Sequence, residues 1–198
     1  MESIAPRYCP RCGTAMPDPP KSGHLTCSID GYIWYGDPKI ATGVLVSRSP
    51  NLFDATKHPA KKRQDDSNSA ESSTTAAIPD ELLLVRRNHD PAMGHWAFPS
   101  GFVDAGEIVE HAAIREVFEE TSVEIVLDHL IGVYSETGNA VVFIAYAGTL
   151  VSGEATAGDE AFEVGWFRLD KLPDLAFPHD NKIVSDWKRL QTLDTNST

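Results

Sequence analysis

Between Gly101 and Val123 the chain carries its strongest constraint, a helix-forming run with three glutamates on one side. At about 100° per residue, Glu116, Glu119 and Glu120 fall within an arc of roughly 100°. Glu116 and Glu120 are one turn apart and point the same way. Like charges at that spacing destabilise a helix by about a few tenths of a kcal/mol. A hard divalent cation between them reverses the sign, because Mg2+ and Ca2+ prefer carboxylate oxygen. The opposite side, through Val109, Ala113, Ile114, Val117 and Phe118, is apolar and is expected to seat the helix on a sheet. The carboxylates would then lie at the rim of the buried face. Magnesium keeps several waters and shares its shell with substrate phosphates. A few carboxylates beside an open face therefore suit phosphate chemistry better than a closed structural site.

The flanking segments predict a sheet. Ile40–Ser47, Glu81–Arg86, His95–Phe98, Ser122–Leu127, Leu130–Ser135, Ala140–Thr149 and Glu163–Leu169 read as strands. Ser100–Gly106 reads as a loop whose glycines let backbone groups approach a metal or phosphate closely. The carboxylate helix should run from Glu107 to about Thr121, and residues 180–193 form a second amphipathic helix through Ile183, Trp187 and Leu190. Residues 48–80 hold Ser, Thr, Ala, Asp and Lys with almost no large apolar side chain. Such a segment buries too little surface to offset its ordering entropy, and is expected to be a disordered insertion. Residues 1–36 form a separate small module. It is too short to hold a core without a staple.

Charge narrows the function. Lys and Arg total 17 against 29 Asp and Glu, for a net charge of −12. That opposes general binding to a nucleic-acid backbone, which relies on clustered cations. An acidic protein still binds an anion when a divalent cation sits between them. No apolar run is long enough for a membrane span, and no secretory leader is visible, so a cytoplasmic protein without membrane or nucleic-acid partners is expected.

On its own, a run of glutamates is most often a solvated helix face. The full spacing is more specific: Gly101, five residues, Glu107, seven residues, Arg115-Glu116, two residues, Glu119-Glu120, one residue, Ser122, Val123. Six fixed matches of this kind arise by chance roughly once in ten million starting points. The pattern resembles the box of the Nudix hydrolases, with Ser122 where the family usually has Gly. Trp96-Ala97-Phe98-Pro99-Ser100-Gly101 resembles the strand and loop that precede the box.

The resemblance implies an α/β fold, a Nudix-type α/β/α sandwich around a mixed sheet over residues 37–195. It implies Mg2+ or Mn2+ held by Glu116 and Glu120, with Glu119 assisting and the Ser100 backbone carbonyl completing the site. Arg115 joins the catalytic set by orienting helix and loop through a salt bridge to Glu107. A further acid on a late loop is implied as base or extra ligand, and Glu160 is chosen ahead of Glu163.

Cys9-Pro10-Arg11-Cys12 and Cys27 resemble three-quarters of the zinc ribbon found at the N-terminus of many Nudix hydrolases. Cys27-Ser28-Ile29-Asp30 puts Asp30 where the fourth Cys would be, with His24 as the nearby substitute. Structural zinc wants four ligands, and Asp can be one of them. The ribbon and box together resemble the ADP-ribose/FAD/NADH pyrophosphatase group, whose ribbon-bearing members are often homodimers. Tyr134–Asn139 replaces the proline-rich stretch of NADH enzymes, and Leu175-Ala176-Phe177 resembles the ADP-ribose/FAD group. The expected substrate is a nucleotide-like small molecule, ADP-ribose or a related dinucleotide. Three other readings compete. A non-catalytic nucleotide sensor would more often have lost box carboxylates, an isomerase would need a catalytic Cys outside the N-terminal module, and a nucleic-acid-binding ribbon would want a basic surface.

Overall fold

The computed structural model describes residues 5–18, 24–48 and 81–194, with no side-chain description for 193 and 194. Residues 49–80, most of the expected insertion, lie outside the described residues. The chain divides into two compact units, Met1–Lys39 and Ile40–Thr198.

The first unit contains a short antiparallel hairpin, β1 (Leu25–Thr26) with β2 (Ile33–Trp34), in the register Leu25↔Trp34. Two turns frame it. Gly13 and Gly31 have φ of 74° and 69°, a region that favours glycine. Their N–H groups donate to the carbonyls of Cys9 and Cys27, at 2.9 and 3.1 Å. The two turns, Cys9–Gly13 and Cys27–Gly31, are thus built alike.

The second unit is a seven-stranded sheet between two helices. In chain order its elements are β3 (Lys39–Arg48), β4 (Glu81–Arg87), β5 (Trp96–Ala97), β6 (Ser100–Phe102), α1 (Val109–Thr121), β7 (Glu124–Tyr134), β8 (Val141–Ser152), β9 (Ala161–Arg168) and α2 (Asp180–Asp194). The strand path is β5-β4-β3-β8-β7, with β6 added on β3 and β9 on β4. Alternation along the strands separates two cores. Val44, Val46 and Leu83 pack with Ala113 and Val117 of α1, while Leu45, Leu82 and Leu84 pack with Ile183, Val184 and Trp187 of α2. Trp187 and Leu45 are each 1% exposed. Full burial of side chains this size contributes about 1.5–3 kcal/mol each.

Four expectations need correction. Ser100–Phe102 is a strand rather than loop, because it pairs antiparallel with β3 through Gly43↔Ser100 and Thr42↔Gly101. The helix begins at Val109, not Glu107: Ile108 has extended backbone, and Glu107 instead accepts the Asp104 N–H at 3.1 Å. The two strands expected over 122–135 are one, since register shifts at Leu127/His129 and Leu130/Gly132 absorb the apparent break as bulges. The helix is also rotated from the expected face. Ile114 and Phe118 are exposed, while Ala112, Ala113, Glu116, Val117, Glu120 and Thr121 are buried. Glu116 and Glu120 therefore sit in the middle of the buried face, not at its rim.

Candidate active site

A cavity of about 780 Å3 lies against α1. Glu116 and Glu120 line it together with Ser100, Gly101 and Glu160. Gly101 leaves the space for one of them, because a Cβ at this position would displace the Glu116 carboxylate. Ser100 donates its backbone N–H to Glu120 Oε2 at 2.8 Å. Strand β6 thus carries both the space for one carboxylate and the hydrogen bond that fixes the other.

Arg115 sets the remaining geometry. Its guanidinium grips Glu107 with two bonds of 2.8 and 2.9 Å, and reaches Glu116 Oε1 at 2.8 Å and Glu119 at 3.0 Å. A fork gripping one carboxylate twice holds direction as well as distance. The Arg115 contact pulls the Glu107 carboxyl down to about 2, and the Asp104 N–H adds to the shift. Each buried glutamate therefore has one oxygen bound to the protein. The second oxygens, Glu116 Oε2 and Glu120 Oε1, have no hydrogen-bond partner among the described residues.

Burial and crowding make these carboxylates poor anions when alone. Burial pushes Glu120 up to about 8, and Glu116 adds repulsion, against partial relief from the Ser100 N–H. Glu116 is raised too, again mainly by burial. A divalent cation between them would remove both penalties, and oxygen donors are the type that Mg2+ and Mn2+ prefer. The residues present fit such an ion.

The late loop closes over the same end. Gly158 donates its N–H to the Glu120 carbonyl at 3.0 Å, and its bare Cα rests on the Glu119 carbonyl. Asn88 holds the loop from β4 through the Asp159 and Glu160 carbonyls, at 2.6 and 3.3 Å. Glu160 lines the cavity and its charge acts on both Glu116 and Glu120. Glu163 does not line it. It pairs with Arg86 at 2.8 Å near the start of β9.

Several cavity residues were not singled out from the sequence. Arg87 is 7% exposed, yet none of the ion pairs among the described residues uses it. It donates to the Pro91 carbonyl at 2.9 Å and lies 5.3 Å over the Phe177 ring. The signal was partial: Arg87 stands two residues after Val85 and four after Leu83, which packs against α1, but a register shift between Arg86 and Arg87 interrupts the alternation. Phe143, Phe177, His179 and Asn139 line the cavity as well. They come from distant segments, and His179 carries no local signature.

In the first unit, donor atoms of Cys9, Cys12, Cys27 and Asp30 all lie within 4.8 Å of one another. The Cys12 and Cys27 sulfurs are 3.7 Å apart, and Cys9 Sγ is 3.6 Å from Asp30 Oδ2. Tetrahedral zinc with Zn–S near 2.3 Å places two sulfurs about 3.8 Å apart. The Tyr32 N–H holds Asp30 Oδ1 at 2.9 Å and keeps its carboxyl below the usual range. His24 is not in the cluster; its ring lies 4.4 Å from that of Tyr35.

The sandwich with its acidic cavity is a domain of the α/β class. The family profile of the NUDIX domain matches residues 75–187, and the chain belongs to that family. Nudix hydrolases act with a divalent cation such as Mg2+ or Mn2+, and the chain is a Nudix-type nucleotide pyrophosphatase. It is 40% identical over 114 residues to an ADP-ribose pyrophosphatase of Methanocaldococcus jannaschii, covering 56% of this chain and 67% of the relative. A putative 8-oxo-dGTP diphosphatase of Bacillus subtilis is 34% identical, over 54% of this chain and 71% of the relative. A protein named NAD-capped RNA hydrolase NudC from Pseudomonas aeruginosa is 29% identical over 85% of this chain, which spans only 50% of that relative's length. In fold, the chain resembles a NUDIX hydrolase from Nitrosomonas europaea with a TM-score of 0.67 at 22% identity, covering 94% of this chain and 90% of the other. No helix among the described residues is long and apolar enough to cross a membrane.

Proposed function

We propose that the chain hydrolyses the diphosphate linkage of a nucleoside diphosphate derivative, ADP-ribose or a related dinucleotide such as FAD or NADH, and releases two monophosphates. One observation carries the reading. Two buried carboxylates on α1 each have one oxygen bound to protein and the other without a partner among the described residues, at the wall of a cavity large enough for such a substrate. Glu116, Glu120, Glu119 and the Ser100 carbonyl would hold Mg2+ or Mn2+. The bound cation offsets the charge of the diphosphate and makes water a better nucleophile.

The chain's own residues do the rest. Glu160 orients a water and takes its proton. The water oxygen bonds to one phosphorus, and the bridging P–O bond breaks. Arg87, with no carboxylate partner among the described residues, offers positive charge to the diphosphate. Arg115 works through others, holding Glu107, Glu116 and Glu119 in place.

Nucleoside diphosphate derivatives incubated with Mg2+ and analysed by mass spectrometry test the reading. ADP-ribose should give AMP and ribose 5-phosphate. Failure to cleave any member of the panel would sink it. The relative named as an NAD-capped RNA hydrolase supports a second reading, cleavage of the same linkage at a capped RNA end. That relative also weakens the expectation of no nucleic-acid partner, and an NAD-capped transcript belongs in the same panel.

We infer further that the first unit binds one zinc through Cys9, Cys12, Cys27 and Asp30. The likeness of the two turns supports this, since Gly31 follows Asp30 as Gly13 follows Cys12. Elemental analysis after zinc-supplemented expression should find one zinc per chain. A clearly substoichiometric content would count against the site.

A further inference from the structure

At the end of β4, three consecutive residues form a hydrogen-bonded chain that the hydrolytic reading leaves unused. Arg87 Nη2 lies 2.8 Å from His89 Nε2, and His89 Nδ1 lies 3.2 Å from Asn88 Oδ1. The Asn88 amide nitrogen reaches the Asp159 carbonyl at 2.6 Å, and the Asn88 backbone N–H reaches the Glu160 carbonyl at 3.3 Å. The chain thus starts at a buried cation and ends on the loop that carries Glu160. Arg87, His89 and Glu160 line the cavity; Asn88 does not.

The direction of every link follows from the two ends. A guanidinium has five N–H donors and no acceptor, so Nη2 donates and His89 Nε2 accepts. An imidazole that accepts at Nε2 carries its proton on Nδ1, so Nδ1 donates to Asn88 Oδ1. With that oxygen accepting, Asn88 turns its NH2 toward Asp159. The far end demands the same orientation independently, because a backbone carbonyl only accepts. Donor meets acceptor at all three links, and no single link can reverse.

Both ends touch groups with a chemical task. Arg87 is 7% exposed and also donates through Nε to the Pro91 carbonyl at 2.9 Å, while Nη1 has no hydrogen-bond partner among the described residues. Its charge acts on Glu120. At the other end, Thr156 and Gly158 tie the loop to α1 through the Thr121 and Glu120 carbonyls, at 2.9 and 3.0 Å. Those bonds stop short of Glu160. Asn88 supplies the side-chain bond at Asp159, and its N–H extends the β4–β9 pairing past the Arg87↔Ala161 rung to Glu160.

We propose that His89 and Asn88 are positioning residues that couple the Arg87 guanidinium to the Glu160 loop, so that one chain holds the group facing the diphosphate and the group facing the water. This rests on the pyrophosphatase reading for the tasks of Arg87 and Glu160. Asn88 acts through Glu160, and His89 acts through both of its neighbours.

The chain is tested first without turnover. Hydrogen exchange read by mass spectrometry reports the opening of residues 157–161. Asn88→Ala should speed exchange there about fivefold, the effect of one lost hydrogen bond, and leave α1 unchanged. His89 makes no bond to the loop, yet His89→Met should speed the same peptide about two- to fivefold, because Asn88 loses the donor that fixes its amide. His89→Gln has the length of the methionine variant but can accept from Arg87 and donate to Asn88. It should bring exchange most of the way back to that of the parent. Loop exchange in His89→Met equal to that of the parent, or to that of His89→Gln, overturns the proposal. Melting temperatures check that each variant is folded. If His89→Met is not, Asn88→Asp takes its place: the carboxylate still accepts from His89 but offers the Asp159 carbonyl no donor. Exchange should then rise at least as far as in Asn88→Ala, and a parent-like rate overturns the proposal.

Turnover separates positioning from support of the fold. With Mg2+ and ADP-ribose, Asn88→Ala should lower kcat about tenfold and change KM by less than about threefold, since the tie acts on the step that activates water. In a Glu160→Gln background the same substitution should lower kcat by less than about twofold, because Asn88 works through Glu160. Equal losses in the two backgrounds overturn the positioning role. If the parent cleaves no diphosphate, the hydrolytic reading fails, while the exchange comparison still decides whether His89 and Asn88 couple Arg87 to the loop.

Discussion

The acidic cavity and the cysteine cluster both gather donor atoms, but they are finished differently. At Cys9, Cys12, Cys27 and Asp30, four donors converge within 4.8 Å, and a backbone N–H fixes one oxygen of the carboxylate. A four-donor set of that kind leaves no position for a reactant, so it suits a staple. At Glu116 and Glu120, each carboxylate gives one oxygen to the protein, leaves the other without a partner among the described residues, and lines a cavity of about 780 Å3. Arrangements with unspent donors suit chemistry. Counting which atoms are already bound therefore separates the two roles better than residue type does, since each cluster contains a carboxylate.

The sharpest way to break this contrast is Glu120→Gln. Size and helix propensity are kept while the charge is lost, so kcat should fall by at least about a hundredfold, with zinc content unchanged. Thermal stability without metal should hold or rise, because a buried carboxylate and its repulsion with Glu116 are removed. Glu110→Gln, on the exposed side of the same helix, is the control. Equal damage by both variants, or near-normal turnover by Glu120→Gln, would mean that the open site lies elsewhere.

Asp30→Ala probes the other side of the comparison. Zinc affinity, read by competition with a chelator, should drop about ten- to a hundredfold, because three ligands cannot close the tetrahedron. Cleavage of ADP-ribose per folded molecule should change far less than in Glu120→Gln. If turnover collapses while the fold persists, the cysteine cluster is not simply a staple.

Asp180 sharpens the meaning of a buried carboxylate that serves structure alone. Burial raises its pKa from 3.8 to about 6, against the opposing Phe177 N–H. Its folded pKa lies above the unfolded value. The associated stability is therefore complete below pH 3.8 and is lost as pH rises through about 6. Asp180→Asn keeps an oxygen for the Phe177 N–H and carries no charge. Chemical denaturation at pH 8 should show it more stable than the parent by about 1–2 kcal/mol, with the gap closing toward pH 4. A constant gap across that range would contradict the assignment.

The smallest effect is expected at Ser122, which ends the carboxylate helix with φ of 59° and ψ of 19°. Glycine adopts this left-handed conformation without a Cβ penalty, so Ser122→Gly should stabilise by about 0.5–1 kcal/mol. Denaturant titration reads the gain, and kcat should stay within about twofold, since the change touches the frame rather than the open site.

How far the sequence reached depends on range. Glu116, Glu119 and Glu120 are local, and their helical spacing was enough to group them. The apolar runs of β3 and β4 were equally direct. The rotation of α1 was not legible, because it depends on what lies behind the helix: Gly101 leaves room for one carboxylate and the Ser100 N–H satisfies the other. Those contacts outweigh the apolarity of Ile114 and Phe118. Strand β7 was read as two, over Ser122–Leu127 and Leu130–Ser135, and the bulges that join them depend on pairing with β8. Asn139 and Phe177 fell in segments read only as family markers. His179 is packed by Phe143, Phe177 and Tyr134, three positions joined only by folding. The glutamate chosen from the late loop, Glu160, lines the cavity, whereas Glu163 faces Arg86; spacing alone left the two nearly equivalent.

The last rung between β3 and β4 sets Arg48 opposite Glu81. Their side chains pair at 2.8 Å, and the Arg48 guanidinium covers the Trp166 ring at 4.2 Å. The chain therefore leaves the sheet and returns to it at one clasped point. Loop-closure entropy grows only logarithmically, at about 0.6 kcal/mol for each doubling of length. Whatever covalent length joins Arg48 to Glu81 is thus nearly invisible to the sheet. That makes the clasp a natural splice point, where a reporter domain or a binding peptide can be carried without redesigning the hydrolase around it.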